Sequence, residues 1–220
     1  MWNVFRRLLG GRPRAVRDAA SEARVESVDR ADTAARIEIL AWGGFETPAS
    51  TLEAILEEYL RPEAVGADDR RWIEAEVARA FAAKRDAEAT WPAQTDVDRL
   101  AAAFAALEAA GIIALHRAGN TRSDGISDAA EVYHARRDQG GDARGFVFYH
   151  GQDVEAALAG YGLYLAFGSF DGRDETAAGI AAEIVAAVEA QGLRTDWDGD
   201  VDRRILVHPI RWLNRTPSDP

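Results

Sequence analysis

The chain has 220 residues, 47% apolar and 29% charged, enough for one large domain or two small ones that bury roughly 70% of the unfolded surface. Cysteine is absent altogether, which excludes disulfides, thiolate metal centres and cysteine nucleophiles. The net charge of −11 repels nucleic-acid backbones and disfavours general DNA or RNA binding.

Residues 1–26 are a basic segment in an acidic chain, with Arg6, Arg7, Arg12, Arg14, Arg17 and Arg24 against Asp18, Glu22 and Glu26. Trp2, Val4, Phe5, Leu8 and Leu9 beside Arg6 and Arg7 could form a short interfacial turn on an anionic membrane. A solvated, flexible terminus is the expectation here, because one or two helical turns are marginal alone. No apolar run reaches the ~18 residues of a transmembrane span. No hydrophobic signal region follows the arginine pair, so the expected location is cytoplasmic.

Residues 27–110 read as a helical region. Val28, Ala31, Ala35 and Leu40 mark a first helix closed by Gly43-Gly44. A second begins near Ser50, carries Leu52, Ile55, Leu56, Tyr59 and Leu60 on one side, and ends before Pro62. A third follows Gly66 with Trp72, Ile73, Val77, Ala80 and Phe81 at helical spacing. Lys84, the single lysine of the chain, falls in a charged run on this helix. The fourth helix has Thr95 and Asp98 as an acidic capping box, Gly111 as its terminator and a stripe of Val97, Leu100, Phe104 and Leu107.

Residues 111–214 alternate strands and helices, and 215–220 are a tail. Ile112–His116 is a first strand, Ala118–Gly125 a loop, and a helix from Ser127 ends at Gly140-Gly141. Strands follow at Phe146–His150, Leu163–Phe167, Leu193–Trp197 and Arg204–His208, with a short helix over Gln152–Ala159 and a long one over Ala177–Val188. Asp198-Gly199 signals a hairpin between the last two strands. The expected fold is α/β (α+β): N-terminal helices, then a mixed four- to five-stranded sheet with packed helices and a C-terminal β-hairpin. Helix crossovers predict parallel neighbours, and the last pair should be antiparallel.

His116, His150 and His208 fall at strand ends, where α/β proteins place ligand sites, and Asp153 lies near His150. These four are the candidate catalytic residues, as a His–Asp acid/base pair or an imidazole cluster. Histidine spacings typical of metal sites are missing, so no metal and no cofactor are expected. Asp196-Trp197-Asp198-Gly199-Asp200-Val201-Asp202 resembles a cation loop, but Val207 stands where a calcium loop needs glutamate. It reads as turn chemistry. Trp197, Trp212, Tyr149, Gln152 and Arg204 are candidate binding residues, the tryptophans as interface anchors.

Several blocks resemble one uncharacterised bacterial family, a domain of unknown function. They are Thr95-Asp96-Val97-Asp98-Arg99-Leu100 with Ala103-Phe104 and Leu107 to Ile113, Gly145 through Asp153, Gly162-Leu163-Tyr164-Leu165, Trp197-Asp198-Gly199, Arg204-Ile205 and Trp212, spanning about residues 95–213. The resemblance implies no reaction. It implies a cysteine cluster after the first strand in many members, whereas Gly119–Gly125 has none.

Three functions stay open. The first is a non-catalytic protein-interaction or regulatory module, such as an immunity protein neutralising a basic partner. The second is a small hydrolase or transferase built on the strand-end His and Asp residues. The third is a sensor binding a small ligand between sheet and helices.

Overall fold

A computed structural model describes residues 28–217. The basic segment expected over 1–26 therefore lies outside the described residues. Helices come first and a mixed five-stranded sheet with packed helices follows, closed by a C-terminal hairpin, as the sequence predicts.

Helix α1 (Arg30–Gly43) starts at Asp29, whose carboxylate accepts the N–H groups of Ala31 and Asp32 at 3.0 and 3.1 Å. Its buried face is Thr33, Ile37, Leu40 and Ala41 rather than the expected stripe through Ala31, because Ile37 carries more apolar surface than any alanine. Helix α2 (Pro48–Glu53) runs directly into a π-helical turn, Ala54–Tyr59, so the single helix expected there changes winding halfway. Helix α3 (Ala67–Glu88) packs on both, and Ile37, Leu40, Ile55, Leu56, Ile73 and Phe81 fill the core between them.

Helix α4 (Asp96–Ala109) keeps its predicted box. Thr95 N–H donates to Asp98 Oδ2 at 2.7 Å, and Asp98 N–H returns to Thr95 Oγ1 at 3.2 Å. Its stripe does not join α1–α3. It packs on the sheet and belongs to the second, larger core.

The strands are β1 (Ile112–Leu115), β2 (Gly145–Phe148), β3 (Leu163–Ser169), β4 (Thr195–Asp196) and β5 (Ile205–Val207), in the order β1-β2-β3-β5-β4. Helix α5 (Arg122–Asp138) starts five residues earlier than expected. The Thr121/Asp124 capping box turns half of the expected loop into helix. It links the one parallel neighbour pair, β1 and β2. Helix α6 (Gly151–Leu158) does not link parallel strands: β2 and β3 are antiparallel. Its eight residues span about 12 Å, and it packs against α1 instead of running back along the sheet. Helix α7 (Asp174–Ala190) carries the chain from β3 to β4, with β5 later inserted antiparallel to both.

The β4–β5 hairpin closes through the eight residues Trp197–Arg204, not a two-residue Asp198-Gly199 turn. At the opposite margin β1 is an edge strand. Glu108 covers it by accepting the Ala114 N–H at 2.7 Å, while Arg136 holds its other oxygen at 2.5 Å.

The two cores are joined by the C-terminal segment. Trp212 Nε1 donates to the Gly43 carbonyl at 3.1 Å, and Asn214 Nδ2 reaches the Gly43 and Gly44 carbonyls. Gly44 sits at φ +78°, and a Cβ there would lie 2.4 Å from the Asn214 carbonyl, so only glycine lets this strap close. Among the described residues, no helix is long and apolar enough to cross a membrane.

Candidate functional site

Alternation along β2 continues past its last ladder residue and divides the candidate residues between the two sheet faces. Phe148 faces α5, Tyr149 faces α4, and His150 returns to the α5 side as the N-cap of α6. Asp153 sits one turn into α6. Its Oδ2 accepts the His150 N–H at 3.0 Å and lies 3.2 Å from His150 Nε2. Arg204, just ahead of β5, places Nη1 2.7 Å from Asp153 Oδ1 and 3.5 Å from His150 Nε2, with its guanidinium 4.6 Å from the centre of the Tyr164 ring. Thus His150, Asp153 and Arg204, all candidates from the sequence, do meet.

Burial holds the His150 imidazole below its usual pKa. The charges of Asp153 and Asp124 pull it back up, and Arg204 pushes it down. A neutral ring that donates from Nε2 to Asp153 leaves Nδ1 as a bare acceptor. That nitrogen is sealed from solvent and finds no hydrogen-bond partner among the described residues. The arrangement orients the imidazole between Asp153 and Arg204. What it does in the fold is fasten the start of α6 to the β5 hairpin.

On the other face, His116 Nδ1 lies 2.9 Å from the Tyr149 hydroxyl, and its ring stacks on Phe104 with centroids 4.6 Å apart. Burial pushes the Tyr149 phenol up, so it stays protonated and donates, and burial lowers His116. Tyr149 in turn meets Trp212 edge-on at 5.7 Å. Both are buried, so Trp212 is a core strap rather than a surface anchor. His116 is held by Tyr149 and Phe104 and His150 by Asp153 and Arg204, so the two imidazoles share no partner. His208 is exposed beyond β5, four residues from Arg204 and roughly 13 Å along the strand. Its N–H donates to the Arg194 carbonyl. The strand-end histidines therefore do not converge, and among the described residues no three His, Asp or Glu side chains gather to hold a metal ion.

Gln152 is exposed on α6. Trp197 is half-buried at the start of the hairpin loop, its indole N–H on the Asp200 carbonyl and its ring edge-on to Phe167. Lys84, though it falls in a charged run, is fully buried. Its Nζ donates to the Ala41 carbonyl at 3.0 Å and lies 3.5 Å from Glu88. Burial lowers its pKa while Glu88 raises it. It ties α3 to the end of α1.

Two concave features follow from topology rather than motif. Helix α5 lies over β1 and β2 only, and among the described residues no helix covers β3, β5 and β4 from that side. The exposed half of the face carries a groove of about 290 Å³ lined by Tyr164, Trp197, Arg204 and Leu206, together with Asp196 and the Asp198–Arg203 ion pair. A second cleft of about 450 Å³ opens between the helical unit and the loop after β1, where Arg117 stands at φ +50°. There Arg117 pairs with Glu46 at 2.5 Å and stacks on Phe45, while Arg36 pairs with Glu155 at 2.7 Å and covers Tyr59. The sequence signals for both are faint: Arg117 directly after a strand, and Tyr164 and Leu206 at alternate strand positions.

Compared with known proteins, the chain matches over residues 26–216 a family described as Domain of unknown function (DUF6891). This extends the resemblance seen over 95–213 through the helical unit. No curated protein and no solved structure matches it.

Proposed function

We propose that this chain, which belongs to the family described as Domain of unknown function (DUF6891), is a non-catalytic protein-interaction module that docks a basic partner protein on the uncovered face of β3, β5 and β4. One observation carries this reading. Tyr164, Arg204, Leu206 and Trp197 line an open groove that no described helix covers, together with Asp196 and the Asp198–Arg203 pair. An aromatic and arginine centre inside a polar rim is the anatomy of an interface. The net charge of −11 favours a cationic protein and disfavours nucleic acid. The encounter belongs in the cytoplasm on this reading, in keeping with a cysteine-free chain.

The test is affinity purification from the native host with mass spectrometry, run in parallel on the natural chain and on Leu206→Asp. A stoichiometric basic protein recovered with the first and lost with the second, at equal thermal stability, supports the module. Equal recovery with both chains rejects this face.

A second reading rests on the His150–Asp153 pair at 3.2 Å with Nδ1 unpartnered. It makes the protein a small hydrolase or transferase in which His150 is the base and Asp153 orients it. His150→Gln, which leaves the Asp153–Arg204 pair in place, separates the two. An enzyme loses turnover on an ester and phosphoester panel, whereas a module keeps its partner.

A further inference from the structure

We propose that the cleft between the helical unit and the loop after β1 binds a small zwitterion of the α-amino acid class, its carboxylate on Arg36 and Arg117 and its ammonium group toward Glu53 and Glu58. Two hollows meet there. An outer one of about 450 Å³ and an inner one of about 20 Å³ share Arg36, Leu40 and Arg117 in their walls. The outer hollow has the volume of a small-molecule site at a junction between structural units, and the inner one has room for a single carboxylate oxygen. Charge is sorted along this path. Both arginines line the inner hollow, whereas Glu53 and Glu58 line the outer one alone.

The arginines are held in place without being used up. Arg36 gives Nη1 to Glu155 at 2.7 Å, and Arg117 gives Nη1 to Glu46 at 2.5 Å. Each contact engages one nitrogen of a guanidinium that carries five N–H donors, which leaves a second edge to grip a carboxylate. The Tyr59 and Phe45 rings support the two cations at 5.9 and 5.2 Å, and Ser50 Oγ fixes Glu46 from behind at 2.7 Å. A preset pair of this kind binds without first ordering two long side chains. With Glu155 and Glu46 matching the arginines, Glu53 and Glu58 remain as exposed carboxylates without an ion pair among the described residues. A simple anion therefore meets a negative mouth, and a simple cation forgoes the arginine pair. A molecule bearing both charges satisfies both ends. The cleft shares no lining residue with the groove on β3, β5 and β4, so the inference stands apart from what docks there.

The test is a titration of the full chain with each protein-forming α-amino acid in turn, followed by thermal unfolding and by amide NMR shifts. The expected result is that at least one raises the unfolding midpoint and moves the amides of Arg117 and Glu58. For the tightest of them, the analogue without the α-amine and the analogue without the α-carboxylate should each bind about tenfold more weakly or worse. Arg117→Gln and Glu53→Gln/Glu58→Gln, checked for folding by circular dichroism, should weaken the parent amino acid by about the same factor. The glutamate pair occupies exposed positions, so it carries the test even where Arg117→Gln unfolds the chain. The proposal is overturned when no amino acid shifts either signal, or when binding ignores the glutamate pair. It is equally overturned when the deaminated acid binds as well as its parent, which marks an anion site, or when the decarboxylated amine does, which marks an acidic surface.

Discussion

The two faces of the sheet share their strands but not their style of cover. On one side α4 and α7 press Leu100, Phe104, Ile180, Ile184 and Val188 into Ile112, Val147, Leu165 and Ile205, all essentially solvent-free. On the other, α5 buries only Gly125 and Ala129, and it comes so close that a Cβ at position 125 would lie 2.3 Å from the Phe148 ring. The first contact is made by bulk and the second by its absence. The first should therefore suffer from truncation and the second from enlargement.

The sharpest break is Phe104→Ala. It empties a fully buried aromatic site that also carries the His116 ring, and should cost about 4 kcal/mol in urea unfolding. Asp153→Ala should follow at about 3 kcal/mol, because it strands Arg204 and removes the acceptor of the His150 N–H. Asp153→Asn keeps that acceptor and should lose less. Gly125→Ala should cost about 2 kcal/mol through overpacking against Phe148, with no comparable effect at open Gly179.

Acid should loosen the α5 side next. His150 titrates below its usual value in the folded chain, so the unfolded chain binds more protons just below pH 6.5, and stability falls as pH drops through that window. His116 adds the same sign, and depressed carboxylates such as Glu88 and Asp98 extend the loss at lower pH. His150→Gln should flatten the decline of the urea midpoint between pH 7 and 5. Leu206→Asp should move stability least, within about 1 kcal/mol at a half-exposed strand position, while abolishing partner recovery.

Much of this contrast could be read from local pattern, and some could not. Thr95, Asp98 and the Phe104 stripe announced α4 because capping and periodicity act within a few residues. His150 and Asp153 lie three apart and were legible as a pair. Their third member, Arg204, is 51 residues from Asp153, and only the antiparallel insertion of β5 brings it near. Thr121 and Asp124 form an equally good box, but neighbouring glycines made that stretch resemble a loop. Which half of the sheet stays uncovered depends on where α5 lands, a tertiary outcome without a short-range signature. The reversed direction of β3 is of the same kind, since the helix before it packs on α1.

Lys84 has a practical meaning of its own. With the single ε-amine sealed between α1 and α3, amine-acylating reagents and lysine-modifying enzymes meet no exposed lysine in the folded chain. Covalent tagging at that amine must wait for the helical unit to open. Its rate therefore times how often α1 and α3 part.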